Sequence, residues 1–171
     1  MTPDAGEIAR LSAEAMWSDD AASRGLGMEI LEVGPGRARL AMTVIERMVN
    51  GHGLCHGAFI FALADSAFAF ACNSHGPHAV AQHCAIAFLA PGRLGMRLVA
   101  EAAERHRTER TGIYDISVRD ETTGIVIAEF RGHSRTLPGS WVSDVMPAKA
   151  GIHDTDPDTR AGSHGFPPSR E

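Results

Sequence analysis

Basic residues are in the minority in this chain. Lys and Arg number 16 against 21 Asp and Glu, a formal net charge of −5 over 171 residues. Binding along a phosphate backbone needs a basic surface, so nucleic acid is not expected as a partner. A small anionic ligand held by a few local Arg residues stays open. Cysteine is scarce too. Cys55, Cys72 and Cys84 are an odd number without Cys-x-x-Cys spacing, which argues against a disulfide framework and a thiolate zinc site. The expectation is a reducing, cytoplasmic location. Met1 is followed by Thr-Pro-Asp-Ala-Gly-Glu, with neither a basic n-region nor an apolar h-region, so no secretory signal is expected. The chain has no Gly-x-Ser-x-Gly elbow, P-loop or dinucleotide fingerprint, which disfavours serine hydrolysis and nucleotide-dependent chemistry. One long apolar run, Leu54 to Cys72, nearly reaches membrane-spanning length. It centres on Asp65, which would cost about 2.5–3.5 kcal/mol in a bilayer. A buried helix is the expectation, and no membrane association.

What is present reads as one domain with a tail. The chain is 44% hydrophobic and 22% charged, ordinary values for a globular protein. Pro3 to Ser23 carries Ile8, Leu11, Ala15 and Met16 near helical spacing, giving an N-terminal helical segment over 1–24. Met28–Val33 reads as a strand, Gly34-Pro35-Gly36 as a turn, and Arg37–Val44 as a second strand with Ala38, Leu40, Met42 and Val44 on one face. Asn50-Gly51-His52-Gly53 is a loop. The apolar helix follows from about Gly57 to Asn73, ended by Ser74-His75-Gly76-Pro77. Ala79–Leu89, Arg97–Glu104, Gly112–Arg119 and Ile125–Ser134 are further strands with short connections, which favours antiparallel pairing. The main domain spans 25–137. Of nine prolines, five (Pro138, Pro147, Pro157, Pro167 and Pro168) lie beyond it, where no periodic apolar face is visible. The segment 138–171 therefore reads as a disordered tail. The expected class is α+β, one long helix against a sheet of five or six strands. That helix is apolar around most of its circumference, so the sheet must wrap it or a second subunit must cover the rest.

Asp65 is the most informative residue. Its helical neighbours Phe61, Ala62, Phe68 and Ala69 offer no partner to a charge. Such a carboxylate has a raised pKa, meets donors from elsewhere in the fold, or faces a cavity. Gly57 opens the helix, where unpaired N–H groups and the helix dipole polarise a bound carbonyl. It serves equally as the glycine of a tight turn. Asn50 either positions a water or carboxylate or caps its turn. His52 and His56 are four apart, but Gly51, Gly53 and Gly57 break the helix a zinc pair needs, and position 53 lacks the zincin glutamate. No metal is expected, and His56 reads as a cap or orienting group. Cys55 and Cys72 read as core fillers, with no base placed to activate them.

The run Asn50-Gly51-His52-Gly53-Leu54-Cys55-His56-Gly57-Ala58 through Leu63-Ala64-Asp65 resembles the signature of hotdog-fold thioesterases. It is most similar to the PaaI-type branch acting on phenylacetyl-CoA and hydroxyphenylacetyl-CoA. Phe68 to Ser74, Phe88-Leu89-Ala90-Pro91-Gly92, Thr111 to Ile116 and Phe130-Arg131-Gly132 add to the likeness, which covers roughly Gly25 to Leu137. The resemblance implies a hotdog fold, with a long central helix wrapped by an antiparallel sheet. It also implies a homodimer or a dimer of dimers, a homotetramer. It implies hydrolysis of aryl or medium acyl-CoA thioesters to free acid and CoA, with CoA part of the substrate and no cofactor. By position, Asp65 matches the catalytic carboxylate, as base or nucleophile, and Gly57 the polarising amide. Asn50 and His56 match supporting residues.

The chain departs from the family pattern in places. Ala58 stands where a second Gly is frequent. Ala81, Ala85 and Ala87 occupy the places expected for a Ser or Thr beside the carboxylate, with Gln82 as a substitute; Ala81 and Gln82 are the expected substrate contacts there. Ala90 replaces an Arg, while Arg93, Arg107 and Arg110 are candidates for the CoA phosphates. Gly57 and Asp65 are eight residues apart, about 12 Å along one helix. That exceeds general-base reach. If both act on one thioester, the carboxylate comes from a second subunit whose helix runs antiparallel across a two-fold axis. A hydratase or dehydratase of the same fold and a non-catalytic acyl-CoA-binding module are the rival readings.

Overall fold

The computed structural model of the chain describes residues 2–145. Helix α1 (Ala5–Asp19) and the short α2 (Ala21–Gly25) precede a hairpin of β1 (Glu29–Gly34) and β2 (Arg37–Thr43). Helix α3 (Gly57–Asn73) follows. The chain then runs through β3 (Pro77–Phe88), β4 (Arg97–Arg107), β5 (Thr111–Asp120) and β6 (Val126–Ser140) to a last short helix, α4 (Trp141–Val145). The strands form one six-stranded sheet in the order β1-β2-β4-β5-β6-β3, every neighbouring pair antiparallel. Helix α3 lies across its concave face. This is the α+β architecture expected of the sequence.

Leu63, Ala64, Ala67, Phe68 and Ala71 of α3 are fully buried against Leu40, Met42, Leu98, Ile116 and Val118 of the sheet. Each large side chain sequestered there contributes about 1.5–3 kcal/mol. The approach is close. A Cβ on Gly132 of β6 would stand 2.9 Å from the Phe68 ring, so only glycine lets the helix settle at this depth.

The helix ends are fixed by side chains. His56 is the N-cap, its Nδ1 accepting from the Ala58 N–H at 3.1 Å. At the other end Asn73 is 2% exposed and saturated. Its amide donates to the Ala69 and Ala79 carbonyls, and its Oδ1 accepts from the Ala79 N–H at 2.7 Å and the Trp141 indole at 2.7 Å. Ser74 adds a second tie, accepting from the Gly36 N–H at 2.8 Å. Helix, β3, the β1–β2 turn and α4 are thereby locked together.

Two expectations are corrected. The domain does not end at Leu137. Strand β6 runs to Ser140, and Trp141–Val145 is helical and packs on α1. The Trp141 indole finds its acceptor on Asn73, a contact 68 positions away that overrides the local proline signal. The rest of the expected tail, 146–171, lies outside the described residues. Along β3, strict alternation fails. Ala81 pairs with Ser134 and His83 with His133, leaving Gln82 as an extra residue, a β-bulge. After it Cys84, Ile86 and Phe88 face α3, while Ala85 and Ala87 oppose Arg131 and Glu129 on the outer face. Ala85 and Ala87 are therefore turned away from the carboxylate they were expected to neighbour.

Two surfaces lie open. Strand β3 is a sheet edge twelve residues long, with Val80 46% and Phe88 52% exposed. A long apolar edge of this kind is a ready template for another strand. Beside it, Phe61, Ala62, Asp65, Ser66 and Ala69 form a half-buried stripe along α3 that continues to exposed Ala58.

Candidate active site

The loop before α3 folds around Asn50. Its Oδ1 accepts from the His52 N–H at 2.9 Å and the Leu54 N–H at 3.2 Å, and its own N–H donates to the Leu54 carbonyl at 2.8 Å. Two backbone donors fix the oxygen and leave the amide nitrogen for a ligand. The loop is pinned at its far end, where the Cys55 N–H donates to the Gly92 carbonyl at 2.9 Å and the His56 N–H to the Met48 carbonyl at 2.8 Å.

This arrangement opens a cavity of about 520 Å³ lined by Asn50, Leu54, Gly57, Ile60, Phe88 and Pro91 among others. Gly57 is the first helical residue. The two amides after it are occupied, Ala58 by the His56 ring and Phe59 by the His56 carbonyl. The Gly57 N–H has no acceptor among the described residues. It is an unpaired donor at the positive end of a 17-residue helix. A Cβ on Gly57 would stand 2.9 Å from the Phe88 ring, so the glycine keeps the amide approachable beneath that ring.

Asp65 sits two turns further along. It has no hydrogen bond or ion pair among the described residues, and burial raises its pKa above the ordinary 3.8. No donor among the described residues offsets that burial. Its charge reaches β3 as well as its own helix. Cys84 is raised by burial and then by Asp65, and Cys72 is pushed up to about 12 by burial and then by Asp65. The carboxyl therefore stands between α3 and the edge strand, on the open stripe. Both thiols are held protonated and unreactive, as is Cys55, raised by its own burial.

Of the expected site residues, Asn50 and Gly57 meet at one cavity. His56 is the cap beneath it, exposed and packed edge-on against Phe59. Asp65 is on the same helix but does not line that cavity. Ala81 and Gln82 are exposed on β3, the latter at the bulge. Arg93 lies exposed just past the cavity's Pro91-Gly92 wall, whereas Arg110 lies in the β4–β5 turn at the opposite end of the sheet. One protomer does not bring these two guanidinium groups together, and Arg107 shares the far end, 3.6 Å from Glu104. No group of three or more His, Cys, Asp or Glu among the described residues is placed to hold a metal. Phe88 was not singled out from the sequence as a cover for Gly57. In the sequence it stands one residue before the strand's expected end and opens the Phe88-Leu89-Ala90-Pro91-Gly92 run, neither of which marks it as a cover for Gly57.

Comparison with known proteins identifies the family. The family model of the Thioesterase superfamily matches residues 52–127. The acyl-coenzyme A thioesterase PaaI of Escherichia coli (strain K12) is 46% identical over 129 residues, which is 75% of this chain and 91% of that protein. The structure of the E. coli PaaI protein from the phenylacetic acid degradation operon superposes with a TM-score of 0.78 at 43% identity, covering 80% of this chain and 99% of that one. A point mutant of the phenylacetic acid degradation protein PaaI from Thermus thermophilus gives 0.64 at 39% identity, over 67% and 97% of the two chains.

Proposed function

The chain belongs to the Thioesterase superfamily, with the hotdog fold, and from that premise we propose how it hydrolyses acyl-CoA thioesters and which acyl groups it takes. The preferred substrates are phenylacetyl-CoA, hydroxyphenylacetyl-CoA and related aryl acyl-CoAs. The observation that carries the mechanism is the pairing of a free Gly57 amide in a cavity with a partnerless, half-buried Asp65 two turns along the same helix.

The thioester carbonyl oxygen accepts from the Gly57 N–H, and the helix dipole stabilises the oxyanion as the tetrahedral intermediate forms. Asp65 of the partner subunit takes the proton of the attacking water, and its raised pKa moves it toward the range where a carboxylate is an effective base at neutral pH. The Asn50 amide nitrogen orients the attacking group. Collapse of the intermediate breaks the C–S bond, the proton held by Asp65 passes to the departing sulfur, and the acid and the CoA thiol are released with the carboxylate restored. Two features support the shared site. Asp65 lies on an open stripe, and β3 is an unpaired edge, so a second copy added at β3 with its α3 antiparallel presents its carboxyl to the first copy's Gly57. The same antiparallel arrangement carries Arg110 of the partner subunit toward the end where Arg93 lies. The reaction needs no metal or redox cofactor, coenzyme A entering only as part of the substrate. No helix among the described residues is long and apolar enough to cross a membrane, and a cytoplasmic setting suits three free thiols.

A thiol-release assay across phenylacetyl-, benzoyl- and fatty acyl-CoAs tests the reading. The expected result is the highest kcat/KM for arylacetyl thioesters, with turnover lost and binding retained in Asp65→Asn. Binding without thiol release in the unmodified protein would instead indicate an acyl-CoA-binding module. Hydration of enoyl-CoA without thiol release would indicate a hydratase. Mixing Asp65→Ala chains with Gly57→Pro chains tests sharing between subunits. Neither homodimer should turn over, and the mixture should regain activity because each mixed dimer holds one complete site.

A further inference from the structure

The outer face of the sheet, opposite α3, carries two imidazoles that the thioester chemistry leaves unused. His83 on β3 and His133 on β6 are direct cross-strand partners. Their ring centroids are 5.6 Å apart at an interplanar angle of 67°. His83 is exposed and His133 half-buried. Neither ring makes a hydrogen bond among the described residues. The bulge at Gln82 creates the juxtaposition, because one extra residue turns His83 to the side on which His133 stands.

We propose that His83 and His133 form a two-imidazole binding site for a late first-row transition-metal ion, Zn²⁺, Ni²⁺ or Cu²⁺. The dimensions suit such an ion. Two imidazoles bound to one tetrahedral metal through bonds of about 2.0–2.1 Å have centroids roughly 5 Å apart, close to the separation found. Water completes the coordination sphere, since the pair is at the surface. Imidazole nitrogens select ions of this class, and ions that want oxygen donors, such as Mg²⁺ and Ca²⁺, are disfavoured because the pair offers nitrogen alone. Arg131 and Arg135 stand two residues to either side of His133 on β6; Asp115 offsets the first at 2.6 and 2.9 Å, and the remaining positive charge weakens every divalent ion alike. The site is whole within one protomer and does not depend on the thioesterase reading.

Calorimetric titration of the untagged full-length protein with ZnCl₂, NiCl₂ and CuCl₂ tests this. Saturable binding of one ion per chain is expected, or one per two chains if a second copy at β3 shares the ion. His83→Ala and His133→Ala should each weaken binding by at least about tenfold, and the double variant should abolish it. His106→Ala, at an exposed histidine of β4, and titration with MgCl₂ serve as controls, the first binding as the unmodified protein does and the second showing no uptake. A parallel melt should show Zn²⁺ raising the Tm of the unmodified protein but not of His83→Ala. Because His83 is exposed, that variant folds and carries the test even if His133→Ala does not. Absence of binding in the unmodified protein, or affinity unchanged in both single variants, overturns the proposal. Thiol release is read on the same samples, so loss of metal binding with turnover intact separates failure here from failure of the proposed function.

Discussion

The carboxyl of Asp65 is held without a donor on an apolar helix face, and burial raises its pKa. A folded acid titrating above its ordinary value favours the folded state at low pH and loses that advantage as pH rises through the folded value. Asp65→Asn should therefore melt higher than the unmodified protein at pH 7 while losing thiol release. The gap should close as pH falls below 3.8, where both forms are neutral; calorimetric melts across pH would check this. Glu104 behaves oppositely. Burial works to raise its pKa, but hydrogen bonds from His75 at 2.6 Å and Tyr114 at 2.9 Å outweigh it and hold it below the ordinary value. Its contribution is present at neutral pH and fades as pH falls through that lowered value. Glu104→Gln should thus lower Tm at pH 7 and flatten the acid limb of the Tm–pH curve. Gly57→Pro suits the first helical position; it removes the free N–H and also forces the exposed Phe88 ring to give way, so kcat should drop by at least about 10²–10³-fold with a folded circular dichroism spectrum. Asp65 and Gly57 were legible because each is a local anomaly, a charge among apolar neighbours and a glycine at a helix start. Phe88 and Asn73 were not, since what matters about them is a contact made across the fold, with Gly57 and with Trp141.

Among the elements, α3 was legible to its boundaries because apolar continuity and the flanking Gly and Pro act within a few residues. Strand β3 was legible in extent but not in facing. A bulge adds one residue without any composition signal, and everything beyond Gln82 changes sides. The helix C-terminus depends on one side chain. Asn73→Ala leaves the Ala79 N–H and the Trp141 indole without their acceptor, a loss of at least about 2 kcal/mol. Denaturant unfolding should show it, with thiol release per folded molecule retained because the cavity lies at the opposite end of α3.

For the whole molecule, the patterning marked a change at Leu137, whereas strand and helix continue through Ser140 and Val145. Residues 138–145 look like the start of a tail until the rest of the fold supplies a partner for Trp141. The proposed composite site makes activity a property of the pair. Placing a charge on the open edge, as in Val80→Lys, should give a monomer by size exclusion and lose most thiol release, although Asp65 and Gly57 are untouched. The edge also bears on biogenesis. Strand β3 leaves the ribosome before its neighbour within the chain, β6, whose first residue comes 38 positions after Phe88. At ordinary translation speeds that is a wait of roughly 2–8 s. Its other side then waits for a sister polypeptide, for which adjacent ribosomes on the same message are the nearest source. Strong overexpression should therefore load chaperones and inclusion bodies with orphaned protomers before it raises the yield of working enzyme.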